Sequence, residues 1–211
     1  MGSSCLFLLL AIIVHASANP NERIFEQELT QIIQKYLAPQ DPTTVPSITN
    51  INITTDSCSL MYNSTNNVIS GFGSMVVTKF SPPFLSKEMT MLTEVDTLQA
   101  HTTSYKVNGT LNGNPYTATG IGNLVMKGVH LTLKCKADSY SIAPTVSICI
   151  EKGTLSIGAT ADSLTANFQG ADELNDYINT HKDVITQLVN EELKENAGSF
   201  EDSINKSMCK S

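Results

Sequence analysis

Tyr105-Lys106-Val107-Asn108-Gly109-Thr110-Leu111-Asn112-Gly113-Asn114-Pro115-Tyr116-Thr117-Ala118-Thr119-Gly120 is the stretch on which the fold turns. Tyr105 and Val107 before the Asn112-Gly113 pair, and Tyr116 and Ala118 after it, alternate with polar residues. A period of two is the mark of a strand with one buried and one wet face, and Asn-Gly closes a tight hairpin because both residues tolerate positive φ. The alternation continues outward through Leu131, Leu133 and Cys135, and again through Val146, Ile148 and Ile150, with Lys152-Gly153 as a second tight turn. Residues 48–168 therefore read as one long, curling antiparallel meander, with Ser81-Pro82-Pro83 as a loop inside it.

On either side the period becomes helical. Ile24, Phe25, Leu29, Ile32, Ile33, Tyr36 and Leu37 recur at three- and four-residue steps, which predicts a helix from about Glu22 to Leu37, ended by Pro39 and Pro42. From Ala171, the residues Leu174, Tyr177, Ile178, Ile185, Leu188, Val189 and Leu193 form a second stripe; Gly198 interrupts it, and Phe200, Ile204 and Met208 continue it. Helix, many strands, helix is the order of an α+β domain with its helices on one face of the sheet. No internal repeat and no interdomain linker is visible.

The first residues are of another kind. Cys5-Leu6-Phe7-Leu8-Leu9-Leu10-Ala11-Ile12-Ile13-Val14 is apolar throughout and is followed by Ala16-Ser17-Ala18, a small-x-small cleavage pattern. Residues 1–18 are expected to be a secretory signal peptide, although Gly2, Ser3 and Ser4 supply no basic residue, and residues 19–211 to be one domain. Leu6 stands where a myristoylation motif requires Ser or Thr. No later apolar run is long enough to span a bilayer. The expected location is extracellular. Cys58, Cys135, Cys149 and Cys209 then remain, an even number that predicts two disulfides with three possible connectivities. Short loop closure favours Cys135–Cys149, leaving Cys58–Cys209, although strand parity places Cys135 and Cys149 awkwardly. Zinc has no Cys-x-x-Cys or neighbouring His to support it. Asn52, Asn63, Asn108 and Asn205 each begin an Asn-x-Ser/Thr sequon, and export makes them candidate glycosylation sites.

Composition excludes several classes. Of 211 residues 41% are hydrophobic and 16% charged, with 13 basic against 20 acidic residues and a net charge of −7. Arg23 is the sole arginine, so no surface is suited to counterion release from phosphates, and nucleic acid is not expected as a partner. Catalytic groups are equally sparse. His101, His130 and His181 are spaced neither as a metal motif nor as a pair, and His130 falls on the wet face of its strand. Gly71-Phe72-Gly73 and Gly120-Ile121-Gly122 lack the third glycine and the helix that phosphate binding needs. Glu191, Glu192 and Glu195 read as a solvated helix face, and there is no Gly-x-Ser-x-Gly elbow. No catalysis, metal or cofactor is expected.

Many sheet positions facing the helices are small or flexible: Gly71, Gly73, Ala118, Gly120, Gly122, Ala159 and Ala161, with Met75, Met89, Met91 and Met126 among them. By itself this favours helices that sit closer and fill the space, as close-packed interiors do.

The 105–120 stretch with Gly122-Asn123-Leu124-Val125-Met126-Lys127-Gly128-Val129, and the segment Leu164-Thr165-Ala166-Asn167-Phe168-Gln169-Gly170-Ala171-Asp172-Glu173-Leu174-Asn175-Asp176-Tyr177-Ile178-Asn179, resemble the insect takeout and juvenile-hormone-binding-like family. With the first helix and the Asp41-Pro42-Thr43-Thr44-Val45-Pro46 exit, the likeness covers most of the mature chain. The same order is similar to group 7 mite-allergen-like proteins. Two positions depart from the family pattern: the first mature cysteine is Cys58 rather than one of an N-terminal pair, and Thr180-His181-Lys182 stands where a Trp is common.

The resemblance implies a tubular lipid-binding half-module, a curved antiparallel sheet wrapped round a long C-terminal helix with an apolar tunnel between them. The expected function is a secreted carrier of a hydrophobic small molecule such as a lipid, fatty acid or terpenoid. Alternation and helical phase nominate Ile33, Val107, Leu124, Met126, Leu131 and Leu188 as walls, with Tyr105 and Tyr177 as hydrogen-bond donors. A chain of about twelve carbons gains ~10 kcal/mol at ~0.8 kcal/mol per CH₂, against association costs of ~4–15 kcal/mol. The alternatives are an innate-immunity protein that binds microbial lipid or membrane surface, disfavoured by the acidic charge, and an allergen-like protein with a collapsed tunnel. A protein receptor is left open.

Overall fold

The computed structural model describes residues 26–27, 30–31, 34–35, 37–81, 87–141 and 147–209. The expected signal segment 1–18, the start of the expected domain, much of the first expected helix including Ile33, the Pro82-Pro83 pair and Val146 lie outside the described residues.

Among the described residues seven strands form the body: β1 (Thr43–Thr54), β2 (Cys58–Ser70), β3 (Val76–Ser81), β4 (Glu88–Leu111), β5 (Asn114–Ser141), β6 (Ser147–Ile150) and β7 (Ser156–Phe168). Every pairing is antiparallel. The hairpin read from Asn112-Gly113 joins β4 to β5, with Leu111 opposite Asn114 and positive φ at both turn residues, 52° and 78°. That is the left-handed geometry a two-residue loop needs to match the twist of its strands. The two long strands change partners along their length. β4 pairs β3 through Thr90–Glu94 and β2 through Gln99–Leu111, while β5 pairs β7 through Gly122–Lys134 and β6 through Ala137–Ser141. A register shift between Thr102 and Tyr105 adds local twist to the central pair.

The described residues 26, 27, 30, 31, 34, 35 and 37 are helical, in line with the first apolar stripe. At the other end the helical stretch comes in three pieces, α1 (Asp172–Thr180), α2 (Lys182–Glu195) and α3 (Ala197–Met208). The break after α1 has a local cause. Thr180 Oγ1 donates to the Asp176 carbonyl at 2.7 Å, and the His181 ring stacks on Tyr177 with centroids 4.3 Å apart, leaving His181 at φ −117°, ψ 43°. The second break falls at Asn196; Gly198, expected to interrupt the helix, lies inside α3.

Side chains from all these elements form two apolar clusters. One gathers Cys58, Leu60, Tyr105, Val107, Leu111, Ala118, Leu164, Ala166 and Phe168 of the sheet under Leu174, Tyr177 and Ile178 of α1. The other holds Leu37, Met75, Val77, Phe80, Met89, Met91, Val95, Val129, Leu131, Leu133, Cys135, Ile150, Leu155, Ile157 and Phe200. Met126 packs against both.

Polar helix residues complete the sheet's free strand edges. Asn175, Asn179 and Asn190 each use one side-chain amide to bond both the N–H and the C=O of a β7 residue, respectively Phe168, Ala166 and Ala159. Asn205 does the same for Ile150 of β6. On β3, Thr30 and Glu26 accept from the N–H groups of Val77 and Phe80, and just before that strand Gln34 donates to the Met75 carbonyl. These side chains take the place of a neighbouring strand and blunt edges that would otherwise pair with other chains.

The disulfide pairing corrects the expectation from loop length. Cys149 of β6 is joined to Cys209 at the end of α3, with Cα atoms 4.5 Å apart. Cys135–Cys149 fails on register, because Cys149 lies opposite Ser139, four residues and roughly 13 Å of strand from Cys135. Cys58–Cys209 fails because Cys58 is buried in the cluster under α1. Cys58 and Cys135 are free, buried and in different clusters.

Candidate functional site

The cluster under α1 is not filled. A cavity of about 200 Å³ lies between the sheet and the first two C-terminal helices. β1 and β2 supply Ile48, Ile53 and Ile69; β4 and β5 supply Ala100, Val107 and Leu124; α1 and α2 close it with Leu174, Ile178 and Ile185. Ile48 and Ile53 on β1, and Ala100 and Val107 on β4, are odd numbers of residues apart and reach the same cavity across the register shifts between Ile48 and Ile51 and between Thr102 and Tyr105, and Leu174 and Ile178 share a helix face because they are four residues apart.

One end of the cavity is aromatic. Tyr62 and Phe168 line it, and Tyr105 sits against them: the Tyr105 and Phe168 rings meet edge to face at 5.0 Å, and the Tyr62 and Tyr105 rings lie nearly parallel at 6.4 Å. Tyr105 Oη donates to the Gln169 carbonyl at 2.9 Å. Burial pushes the Tyr105 and Tyr62 hydroxyls above their usual range, and a hydrogen bond with Ser64 partly offsets the effect at Tyr62. Gly122 lies under Phe168, and a side chain there would run into the ring.

Two of the polar residues that reach this cavity, Asn67 and Thr102, are already bonded. Asn67 donates to the Val45 carbonyl and accepts from Ser64 Oγ, and Thr102 Oγ1 donates within reach of the Thr65 and Ser104 carbonyls. His101 lies half-buried on the wall. Such a lining can remove apolar surface from water but offers no paired acid and base.

The nominated residues fall in several places. Val107 and Leu124 line the cavity. Tyr105 stands behind Phe168, and Tyr177 lies in the same cluster with its hydroxyl 2.7 Å from Thr55 Oγ1, tying α1 to the β1–β2 turn. Met126 is at the joint of the two clusters and Leu131 is in the far one. Leu188 is half-buried on α2 and is not part of the cavity lining; Ile33 lies outside the described residues. Sequence reasoning missed Ile48, Ile53, Ile69 and Ile185 as wall residues. Their signal was present as apolar residues on amphipathic elements, but which stretch of sheet meets which helix is not a local property.

Of the sequon residues, Asn52 and Asn108 are exposed on strands. Asn63 accepts from the Asn50 N–H, and the Asn205 amide is engaged at both atoms with Ile150. His130 is exposed, 4.0 Å from Glu94 and 3.8 Å from Asp162. A larger groove of about 710 Å³ lies between β7 and α2–α3. Its buried Glu201 accepts from the Gly153, Thr154 and Leu155 N–H groups, and its Asn190 is spent on Ala159, so both serve the fold. Among the described residues no group of three or more His, Cys, Asp or Glu could hold a metal, and no helix is long and apolar enough to cross a membrane.

A family model described as haemolymph juvenile hormone binding protein matches residues 22–210. Among solved structures the chain is similar to Takeout 1 of Epiphyas postvittana, with 14% identity and a TM-score of 0.45, covering 84% of this chain and 87% of that one. It is also similar to a lipopolysaccharide binding protein, with 11% identity and a TM-score of 0.35, covering 79% of this chain and 37% of that one. No match was found among curated proteins.

Proposed function

The chain belongs to the haemolymph juvenile hormone binding protein family, and from that footing we propose that it is a secreted carrier, holding a hydrophobic small molecule between its sheet and α1–α2 without transforming it. The observation that carries this reading is the apolar cavity of about 200 Å³ under α1, whose polar neighbours Asn67 and Thr102 are already bonded to the protein. A ligand there gains from leaving water, and shape rather than charge selects it. Val107 and Leu124 form the sheet side of the site, Leu174, Ile178 and Ile185 the helical side. The acidic net charge of −7 fits a carrier in solution better than a binder of anionic membrane surface.

Two measurements test the reading. Organic extraction of the purified protein followed by mass spectrometry is expected to release an apolar molecule, and N-phenyl-1-naphthylamine is expected to fluoresce on binding and to be displaced by long-chain lipids at micromolar concentration. Leu124→Trp, which fills the cavity, is expected to abolish the fluorescence while the protein stays folded. A clean extract together with no probe binding at tens of micromolar defeats the proposal.

A further inference from the structure

β1 is an open edge of the sheet. It pairs with β2 on one side only, and beyond Thr43 the hydrogen bonds that reach its backbone from the described residues come from β2. The edges of β3, β6 and β7 are covered by helix side chains, but among the described residues no helix side chain bonds to β1. Open edges are normally guarded by charge, proline or a bulge. Neither β1 nor β2 contains a charged residue. Pro46 and the register shift between Ile48 and Ile51 guard the first half of β1, whereas Ile51–Thr54 pairs regularly with β2.

The outer face at this unguarded end carries two sequons side by side. Asn52 of β1 and Asn108 of β4 both lie opposite Met61 of β2, and Thr54 and Thr110 both lie opposite Ser59. Residues directly opposite one another share a face. The two Asn-x-Thr sequences therefore run in the same direction at the same level, two strand spacings or roughly 10 Å apart. Asn52, Thr54, Asn108 and Thr110 are exposed, and among the described residues their side chains have no hydrogen-bond partner. Met61, between the two asparagines, is 40% exposed. The next residues along the strands, Ile53, Leu60 and Val107, point the other way, into the cluster under α1.

The remaining sequons are built into the fold. Asn63 is half-buried, and its Oδ1 accepts the Asn50 N–H at 3.0 Å, where Asn50 takes a φ of 59°. Asn205 spends both amide atoms on Ile150, one turn before the disulfide-bonded Cys209. A sugar on its Nδ2 would have to enter the contact between α3 and β6.

We propose that Asn52 and Asn108 are N-glycosylated, that Asn63 and Asn205 are not, and that the paired glycans cover Met61 and the unguarded end of β1. In each transfer the asparagine Nδ2 attacks the anomeric carbon of an oligosaccharide carried on a polyprenyl diphosphate. The N–C bond forms, the C–O bond to the diphosphate breaks, the polyprenyl diphosphate leaves with the electron pair, and Nδ2 gives up one proton. The glycans are bulky and hydrated, so at this uncharged edge they supply the protection that charge gives elsewhere. This inference rests on the secreted part of the carrier reading.

The test expresses the full chain in cultured insect cells and analyses protein from the medium. Peptide mapping after treatment with peptide-N-glycosidase is expected to find aspartate at positions 52 and 108 and asparagine at positions 63 and 205. Thr54→Val and Thr110→Val, which replace an exposed hydroxyl with a methyl group, should each remove one glycan by gel mobility, and the double variant both. Thr54→Ser should keep its glycan, and Thr65→Val and Ser207→Ala should change nothing. In sedimentation velocity at equal concentration the double variant, and wild type made under tunicamycin, should form larger species than the glycosylated wild type. Asn52→Lys combined with Thr110→Val, which sets a charge on the edge, should not. Secreted wild type lacking the glycan at either position, a glycan at position 63 or 205, or glycan-free protein that sediments like the glycosylated form overturns the proposal while leaving the carrier intact. A wild-type chain that never reaches the medium overturns both.

Discussion

Asn175 holds Phe168 by both of its backbone groups: its Oδ1 accepts the Phe168 N–H at 2.6 Å and its Nδ2 donates to the Phe168 carbonyl at 2.9 Å. One amide thus fastens the first turns of α1 to the strand residue whose ring forms a wall of the cavity. Asn175→Ala leaves both Phe168 groups without their partner and should cost about 1–3 kcal/mol. Asn175→Asp keeps the accepted bond but sets a carboxylate oxygen against the carbonyl, and should also destabilise. Urea titration of the two variants against the wild type checks the magnitude, and an unchanged midpoint for Asn175→Ala contradicts it.

Gly122 and Phe168 make a second test. A Cβ at residue 122 would overlap the Phe168 ring and approach the Thr102 methyl at 3.1 Å. Gly122→Ala should cost about 1–3 kcal/mol through overpacking and displace Phe168, lowering affinity for a fluorescent lipid probe. Thermal unfolding and probe titration on the same sample separate the two effects.

The Cys149–Cys209 bond spans 60 residues, and the chain-entropy model assigns such a loop about 4 kcal/mol. Cys209→Ser should lose a comparable amount in non-reducing urea titration. Peptide mapping after alkylation of unreduced, unfolded protein comprising residues 19–211 should find Cys58 and Cys135 modified and Cys149 and Cys209 protected.

Burial, reinforced by the negative charge of Glu201, pushes the Cys135 thiol up to about 12 from an ordinary 9.0. Burial also raises Cys58, Tyr62, Tyr105 and Tyr116. In each case the folded state holds its proton more tightly than the unfolded state. The contribution to stability is therefore complete below pH 9 and is lost as pH rises towards 12. Urea midpoints should fall across that window, and iodoacetamide should modify Cys135 at pH 8 only at the rate of unfolding. Rapid native labelling of Cys135 contradicts the assignment.

Much of the fold was legible locally. The alternation around Asn112-Gly113 marks the β4–β5 hairpin, and the helical stripes frame the sheet, because side-chain period and turn chemistry act over a few residues. Val107 and Leu124 could be nominated for the site for the same reason, since parity assigns a face. Parity does not say how far along a long strand a helix will lie. Leu124 lines the cavity whereas Leu131, farther along β5, sits in the other cluster, and Leu188 belongs to an apolar stripe but not to the cavity lining.

The cysteines show the same division. Loop length pointed to Cys135 and Cys149, whereas the β5–β6 register, set by pairings across the sheet, carries Cys149 past Cys135 and presents it to the end of α3. Asn175 and Asn179 looked like ordinary polar positions on a helix until β7 stood beside them with unpaired backbone groups. By itself the sequence determined the strands, their faces, the tight turns, the helical stripes and the likeness to a family, all properties of neighbours along the chain. Only the tertiary structure decided the disulfide, the asparagine clasps and the cavity under α1, because each depends on which distant segments meet and on what space remains between them.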